Sequence, residues 1–158
     1  MPLERDEDIA ELLSETRTIA MIGASDRPER ASNGVMRALQ DHGYRVIPVN
    51  PKYESILGER CYKSLRDIPD KVDLVDIFRK TQDVMPIAED AIAIGAKVLW
   101  QQLGVKNDAA AAKARAAGLE TVLDRCVKIE HGRLFGGLNW VGVNTRVISA
   151  KRPRWLAY

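Results

Sequence analysis

Cysteine is scarce in this sequence: Cys61 and Cys126 are all it has among 158 residues, and their spacing fits no zinc-binding pattern. No structural metal is expected, and in a reducing compartment two free thiols are expected in place of a disulfide. Long apolar runs are missing as well. Nothing is long enough to span a bilayer, and residues 1–17 lack the apolar stretch of a signal peptide, so the expected address is the cytoplasm with no membrane partner. Neither sign of charge dominates. With 24 Lys and Arg against 22 Asp and Glu, the formal net charge is +2. That argues against nucleic acid, which calls for a concentrated basic face, so any cationic site is local.

What is present is a chain of single-domain size, with 46% hydrophobic residues and no internal repeat or low-complexity segment. Ile9, Leu12 and Leu13 have the spacing of a short amphipathic helix, and the strand "TIAMIG" follows. Helical spacing resumes at Val35, Met36 and Leu39 and stops at Gly43. "YRVIPVN" reads as a second strand, "VDLVDIF" as a third and "AKVLWQQ" as a fourth. Between the last two, a helix runs from about Val84 to Ile94 with Gly95 as its stop. Asp108 is expected to cap an alanine-rich helix ended by Gly118, before a fifth strand, "LETVLD". Apolar strands alternating with helices imply a sheet covered on both faces. The expected fold is a single Rossmann-like, doubly wound α/β domain with a five-stranded, mainly parallel sheet. Its ligand belongs at the carboxyl ends of the strands near the switch point.

The first strand runs into an unusual loop, "GASDRPERASNG". A glycine there permits a tight turn and close approach to a ligand, and the free N–H groups of the next helix attract phosphate. Gly23 and Ser25 stand where that is needed. A bulky side chain at Gly23 is expected to abolish binding while leaving the fold largely intact. The dinucleotide fingerprint is absent, because Ser25 and Pro28 replace its later glycines, and the Walker pattern lacks its Lys-Ser/Thr pair. In their place the loop carries Arg27 and Arg30, whose guanidinium groups suit phosphate oxygens.

The end of the second strand supplies the next clue. An NAD site presents a carboxylate to the ribose there, whereas this chain has Asn50, Pro51 and Lys52. A lysine favours a phosphorylated ribose, found in NADP and in coenzyme A. A hydride-transfer enzyme also needs room for a second substrate, and a single Rossmann-sized unit tilts the choice toward coenzyme A.

Taken in order, "IGASDRP", "GYRVIPVNP", "VDLVDIFR", "VLWQQLGV" and "LDRCVKIEH" resemble the small stand-alone CoA-binding proteins. The single domain of that family is similar to the CoA-binding domain of the succinyl-CoA synthetase α subunit. The resemblance extends from about Leu3 to Phe135. It implies a Rossmann-type domain binding coenzyme A, with Gly23, Ala24 and Ser25 against the pyrophosphate. It puts Asn50 and Pro51 by the adenosine and Lys52 near the 3′-phosphate. It also implies that Phe78 and Arg79 border the adenine and that the turn from Gln102 to Gly104 belongs to the site. Ligase activity does not transfer, since the synthetase carries its phosphohistidine in a second domain and a partner subunit.

Other residues invite a catalytic reading. Cys126 and His131, with Asp124 and Glu130, would give a thiol, a base and an orienting carboxylate, but on an irregular segment they fix no geometry. A small enzyme using a CoA thioester or NADP through Cys126 or His131 is the alternative to a non-catalytic module that binds coenzyme A or an acyl-CoA. A third reading, an interaction subunit with a vestigial pocket, requires that no nucleotide bind. Asp76, in a buried strand, needs a partner such as a backbone N–H or an arginine. His42 is expected to be a helix C-terminal dipole partner, and Trp100 packing. The domain is expected to span residues 1–135. Residues 136–158 follow as an arm, part of the same domain or of an oligomer contact, and the stretch from Arg133 onward reads as a strand or extended segment packing on the domain or on a second subunit. Its apolar residues Leu134, Phe135, Leu138, Trp140 and Val141 suggest a homodimer contact.

Overall fold

The structure is a computed structural model describing residues 2–135. Five parallel strands form its sheet: β1 (Thr18–Ile22), β2 (Arg45–Val49), β5 (Leu74–Ile77), β6 (Val98–Gln101) and β7 (Glu120–Val122). A short antiparallel ribbon, β3 (Ser55–Ile56) and β4 (Glu59–Arg60), lies between β2 and β5 in the chain. Its two-residue turn puts Leu57 and Gly58 at φ 49° and 83°, the left-handed pair that such a hairpin needs.

The strand order is β2-β1-β5-β6-β7. The chain steps from β1 outward to β2 and then crosses back to lay β5 on the other side of β1. The direction of winding therefore reverses between β1 and β5. Alternation along each strand builds two cores. Ile19 and Met21 of β1, Leu74 of β5 and Trp100 of β6 pack on one side with α1 (Asp6–Glu15), α2 (Ala31–Asp41) and α5 (Val127–Phe135). Ala20, Ile22, Val75, Ile77 and Leu99 pack on the other with α3 (Val84–Ala93) and α4 (Asp108–Ala116). This is the doubly wound α/β fold that the sequence pattern predicts.

Several expectations need correction. The cap of α4 is Asn107, whose side chain accepts the Ala110 N–H at 2.9 Å, and Asp108 is the first helical residue. The cap position goes to Asn107 because its backbone is extended there, which aims the side-chain oxygen back at the first turn. The segment holding Cys126 and His131 is irregular only in its first part: Asp124 and Cys126 precede α5, whereas Glu130 and His131 lie on it. Arg133, Leu134 and Phe135 end that helix, with Leu134 and Phe135 buried in the core. They are therefore neither extended nor exposed for a homodimer contact. Leu138, Trp140, Val141 and the rest of the expected arm lie outside the described residues. Among the described residues, no helix is long and apolar enough to cross a membrane.

Candidate functional site

A cavity of about 680 Å³ opens at the carboxyl ends of β1, β2, β5 and β6, over the point where the winding reverses. Its first wall is the turn after β1. Gly23, at φ 83°, donates its N–H to the Val49 carbonyl at 2.9 Å, while Phe78 donates to the Ile22 carbonyl at 2.8 Å. A Cβ at Gly23 would lie 2.2 Å from the Phe78 carbonyl oxygen. The glycine is thus required by the close approach of two strand ends, before any ligand enters. The expectation that a side chain there leaves the fold intact is therefore corrected.

Beyond Gly23 the loop holds itself in shape. Ser25 Oγ accepts the Arg27 N–H at 3.1 Å, and the Ser25 carbonyl accepts the Asn33 amide at 2.9 Å. Ala31 and Ser32, the first residues of α2, line the cavity, so the positive end of that helix faces it. Across the gap, Asn50 donates its side-chain amide to the Ala24 carbonyl at 2.8 Å and accepts the Lys52 N–H at 3.0 Å. Asn50 ties the two loops together and sets the direction in which Lys52 leaves the corner.

Of the residues singled out in the sequence, Gly23, Ser25, Arg27, Arg30, Asn50, Lys52, Phe78, Arg79 and Gln102 all line this cavity. Three do not. Ala24 is fully buried, Pro51 borders a smaller neighbouring cavity, and the Gly104 N–H is turned to Asp124 Oδ1 at 2.6 Å. Sequence reasoning missed Tyr53, Lys80, Asp83 and Val105 on the lining, whereas the exposed Leu103 falls within the expected turn from Gln102 to Gly104. Lys80 could have been found as the neighbour of Arg79, whereas Asp83 and Val105 arrive only through the turns that fold back over the sheet.

The electrostatics are one-sided. Arg27, Arg30, Lys52, Arg79 and Lys80 face a single lining carboxylate, Asp83. Arg79 is 3.9 Å from Asp83, and Arg27 is 3.4 Å from Glu29 outside the cavity. Arg30, Lys52 and Lys80 have no ion pair among the described residues. Such a rim offers charge-assisted hydrogen bonds to several phosphate oxygens at once.

Beneath the rim lies a buried acid. Asp76 is fully buried on β5, and its Oδ1 accepts the side-chain amide of Gln102. Oδ2 has no hydrogen-bond partner among the described residues. The partner is thus neither the backbone N–H nor the arginine expected. Burial pushes the Asp76 carboxyl up to about 8, with the Gln102 hydrogen bond opposing.

The residues of the catalytic alternative have other partners. Glu130 pairs with Arg125 at 2.9 Å and Arg133 at 3.0 Å, and the Asp124 carboxylate accepts from Gly104. The His131 ring sits 4.4 Å from that of His42 and 5.0 Å from that of Phe135. Burial and the nearby His42 charge push His131 down to about 4. His42 does end α2, as expected, but its ring stacks on a helix from the other end of the chain. Among the described residues no group of three or more His, Cys, Asp or Glu could hold a metal ion.

Comparison with known proteins gives this geometry a context. The family described as CoA binding domain matches residues 17–132. Uncharacterized protein YneT of Bacillus subtilis is 37% identical over 124 residues, covering 78% of this chain and 92% of that protein. A hypothetical protein from Pyrococcus horikoshii OT3 has a similar structure, with a TM-score of 0.81 and 50% identity, over 84% of this chain and 95% of that one. An ADP-forming acetate–CoA ligase of Methanocaldococcus jannaschii is 34% identical over 85 residues, which are 54% of this chain and 12% of that enzyme.

Proposed function

The chain belongs to the CoA binding domain family, and from that premise we propose that its cavity binds coenzyme A, free or as an acyl thioester, as a non-catalytic module. One observation carries the reading. Five cationic side chains and the start of α2 converge where the winding of the sheet reverses, with one carboxylate among them. Coenzyme A is a polyanion with phosphates at two separated places, and it matches a rim whose cations come from several loops. Gly23 and Ser25 would face the pyrophosphate. Lys52 would reach the 3′-phosphate, while Phe78 and Tyr53 offer ring faces to the adenosine.

Within the same reading, residues 1–135 are the binding domain and the protein works in the cytoplasm. Ligase chemistry is not part of it, because the resemblance to the acetate–CoA ligase stops at a small fraction of that enzyme.

Titration calorimetry with coenzyme A, dephospho-CoA, NADP, NAD and ATP tests the proposal. Coenzyme A is expected to bind more tightly than dephospho-CoA by about 1–3 kcal/mol, roughly five- to a hundredfold, the size of one charge-assisted contact at a partly exposed site. Lys52→Met is expected to remove most of that difference. Equal affinity for the two ligands refutes the 3′-phosphate site, and no binding of any nucleotide refutes the module.

A further inference from the structure

Asp76 and Gln102 form a chain of two side chains from the core to the cavity. Asp76 stands on β5 in register with Met21 on one side and Trp100 on the other, and it is fully buried. Gln102, just beyond β6, is only 3% exposed yet lines the cavity. Its amide donates to Asp76 Oδ1, while Asp76 Oδ2 is buried with no partner among the described residues. A carboxylate so placed would be an uncompensated buried charge. The neutral acid, with its proton on Oδ2, costs far less to bury there than the charged form.

The ligand proposed for the cavity is anionic, and only one side chain separates it from this acid. We propose that Asp76 is a positioning residue of the cavity: as a neutral acid it holds the Gln102 amide and keeps the floor beneath the bound phosphates uncharged, so that binding a polyanion takes up a proton there. This rests on the coenzyme A reading. The step balances simply: a proton from solvent joins Asp76 Oδ2, and the ligand enters with its charge unchanged.

The surroundings leave Asp76 as the group that responds. The cavity brings Arg27, Arg30, Lys52, Arg79 and Lys80 with Asp83, all on the ligand side of Gln102. On the helices covering that face of the sheet, Asp6 and Glu130 both pair with Arg133, and His42 stacks on His131. Burial raises Asp76, and the hydrogen bond from Gln102 opposes it.

The experiment is calorimetry of the full chain and of Asp76→Asn, in two buffers of different ionisation enthalpy, from about pH 7 to pH 9. The probes are coenzyme A, adenosine 3′,5′-bisphosphate, which has no thiol, and pantetheine, which has no phosphate. Wild type is expected to lose up to about tenfold in affinity for both phosphorylated probes across that range. It is also expected to take up close to one proton per ligand at about pH 9. Asp76→Asn is expected to show neither effect, and pantetheine no pH response with either protein. The ligands' own ionisations cancel in the difference between the two proteins.

Equal proton uptake by wild type and Asp76→Asn, with coenzyme A bound by both, overturns the role of Asp76 and leaves the coenzyme A reading standing. No binding of coenzyme A by wild type at any pH overturns both. Should Asp76→Asn not fold, the infrared carbonyl band of the buried acid in wild type decides. The band is expected to fade as pH rises in the free protein and to persist in the protein saturated with adenosine bisphosphate. A band that is absent, or that fades equally in both, overturns the proposal.

Discussion

Gly23 shows how one residue type answers two demands. Its place after β1 suggests a ligand-facing glycine, yet the nearest obstacle to a side chain is the Phe78 carbonyl, 2.2 Å from where a Cβ would stand. With φ at 83° the backbone also resists an L side chain. Gly23→Ala is therefore expected to destabilise the protein by about 2 kcal/mol or more, with coenzyme A binding lost as well. Chemical denaturation checks this, and undiminished stability of the Gly23→Ala variant contradicts the geometry. Asp76 makes the opposite case, a residue whose chemistry conflicts with its surroundings. Its carboxyl is raised to about 8 when folded, so its contribution to stability is fully present below the ordinary carboxylate range and is lost as pH rises through that value. Asp76→Asn cannot ionise. Its melting temperature is expected to rise relative to wild type between about pH 4 and pH 8 and to hold a constant advantage above that. A difference independent of pH, followed by calorimetric melting, rules this out.

Among the elements, α4 and α5 carry the instructive differences. Two adjacent residues, Asn107 and Asp108, are both good caps by type, and backbone geometry chooses between them. Asn107 then does more than cap: its amide donates to the Thr81 carbonyl at 3.0 Å, and its own N–H is taken by Gln101 Oε1 at 2.6 Å. It joins the ends of β6 and α4 to the turn before α3. Asn107→Ala is expected to cost about 1–2 kcal/mol, whereas Asp108→Ala, which loses only a favourable charge at the helix start, is expected to cost about 0.5 kcal/mol. Urea denaturation of the two variants measures the ranking, and a reversal of it would return the cap to Asp108. Helix α5 is weakly periodic in sequence. Arg133, clasped by Asp6 at 2.7 Å and Glu130 at 3.0 Å, fixes it to α1 across almost the whole described chain.

For the whole molecule, the telling contrast is between total charge and its distribution. A chain with a formal net charge of only +2 gathers five cations and one carboxylate at a single cavity. Binding of coenzyme A should therefore depend on salt well beyond what the net charge suggests. Raising sodium chloride from about 0.05 M to 0.5 M is expected to weaken it several-fold and to leave pantetheine nearly unaffected. Equal salt responses of the two ligands, measured by titration, would falsify a phosphate-directed rim.

The sequence by itself determined the alternation of five strands with helices, the parallel sheet buried on both faces, and the helix stops at Gly43, Gly95 and Gly118. Each follows from local signals, apolar periodicity and backbone freedom, that operate over a few residues. It also marked most of the cavity lining, because loops after parallel strands gather at one end of a sheet. Only the tertiary structure decided which neighbours those residues meet. It set Gly23 against the carbonyl of Phe78, two strands further along the sheet-forming chain, turned Gly104 to Asp124, gave the cap to Asn107, stacked His131 on His42, and left Asp76 with Gln102 alone. These are contacts between separate segments of the chain, fixed by strand order and packing, and no local pattern encodes them.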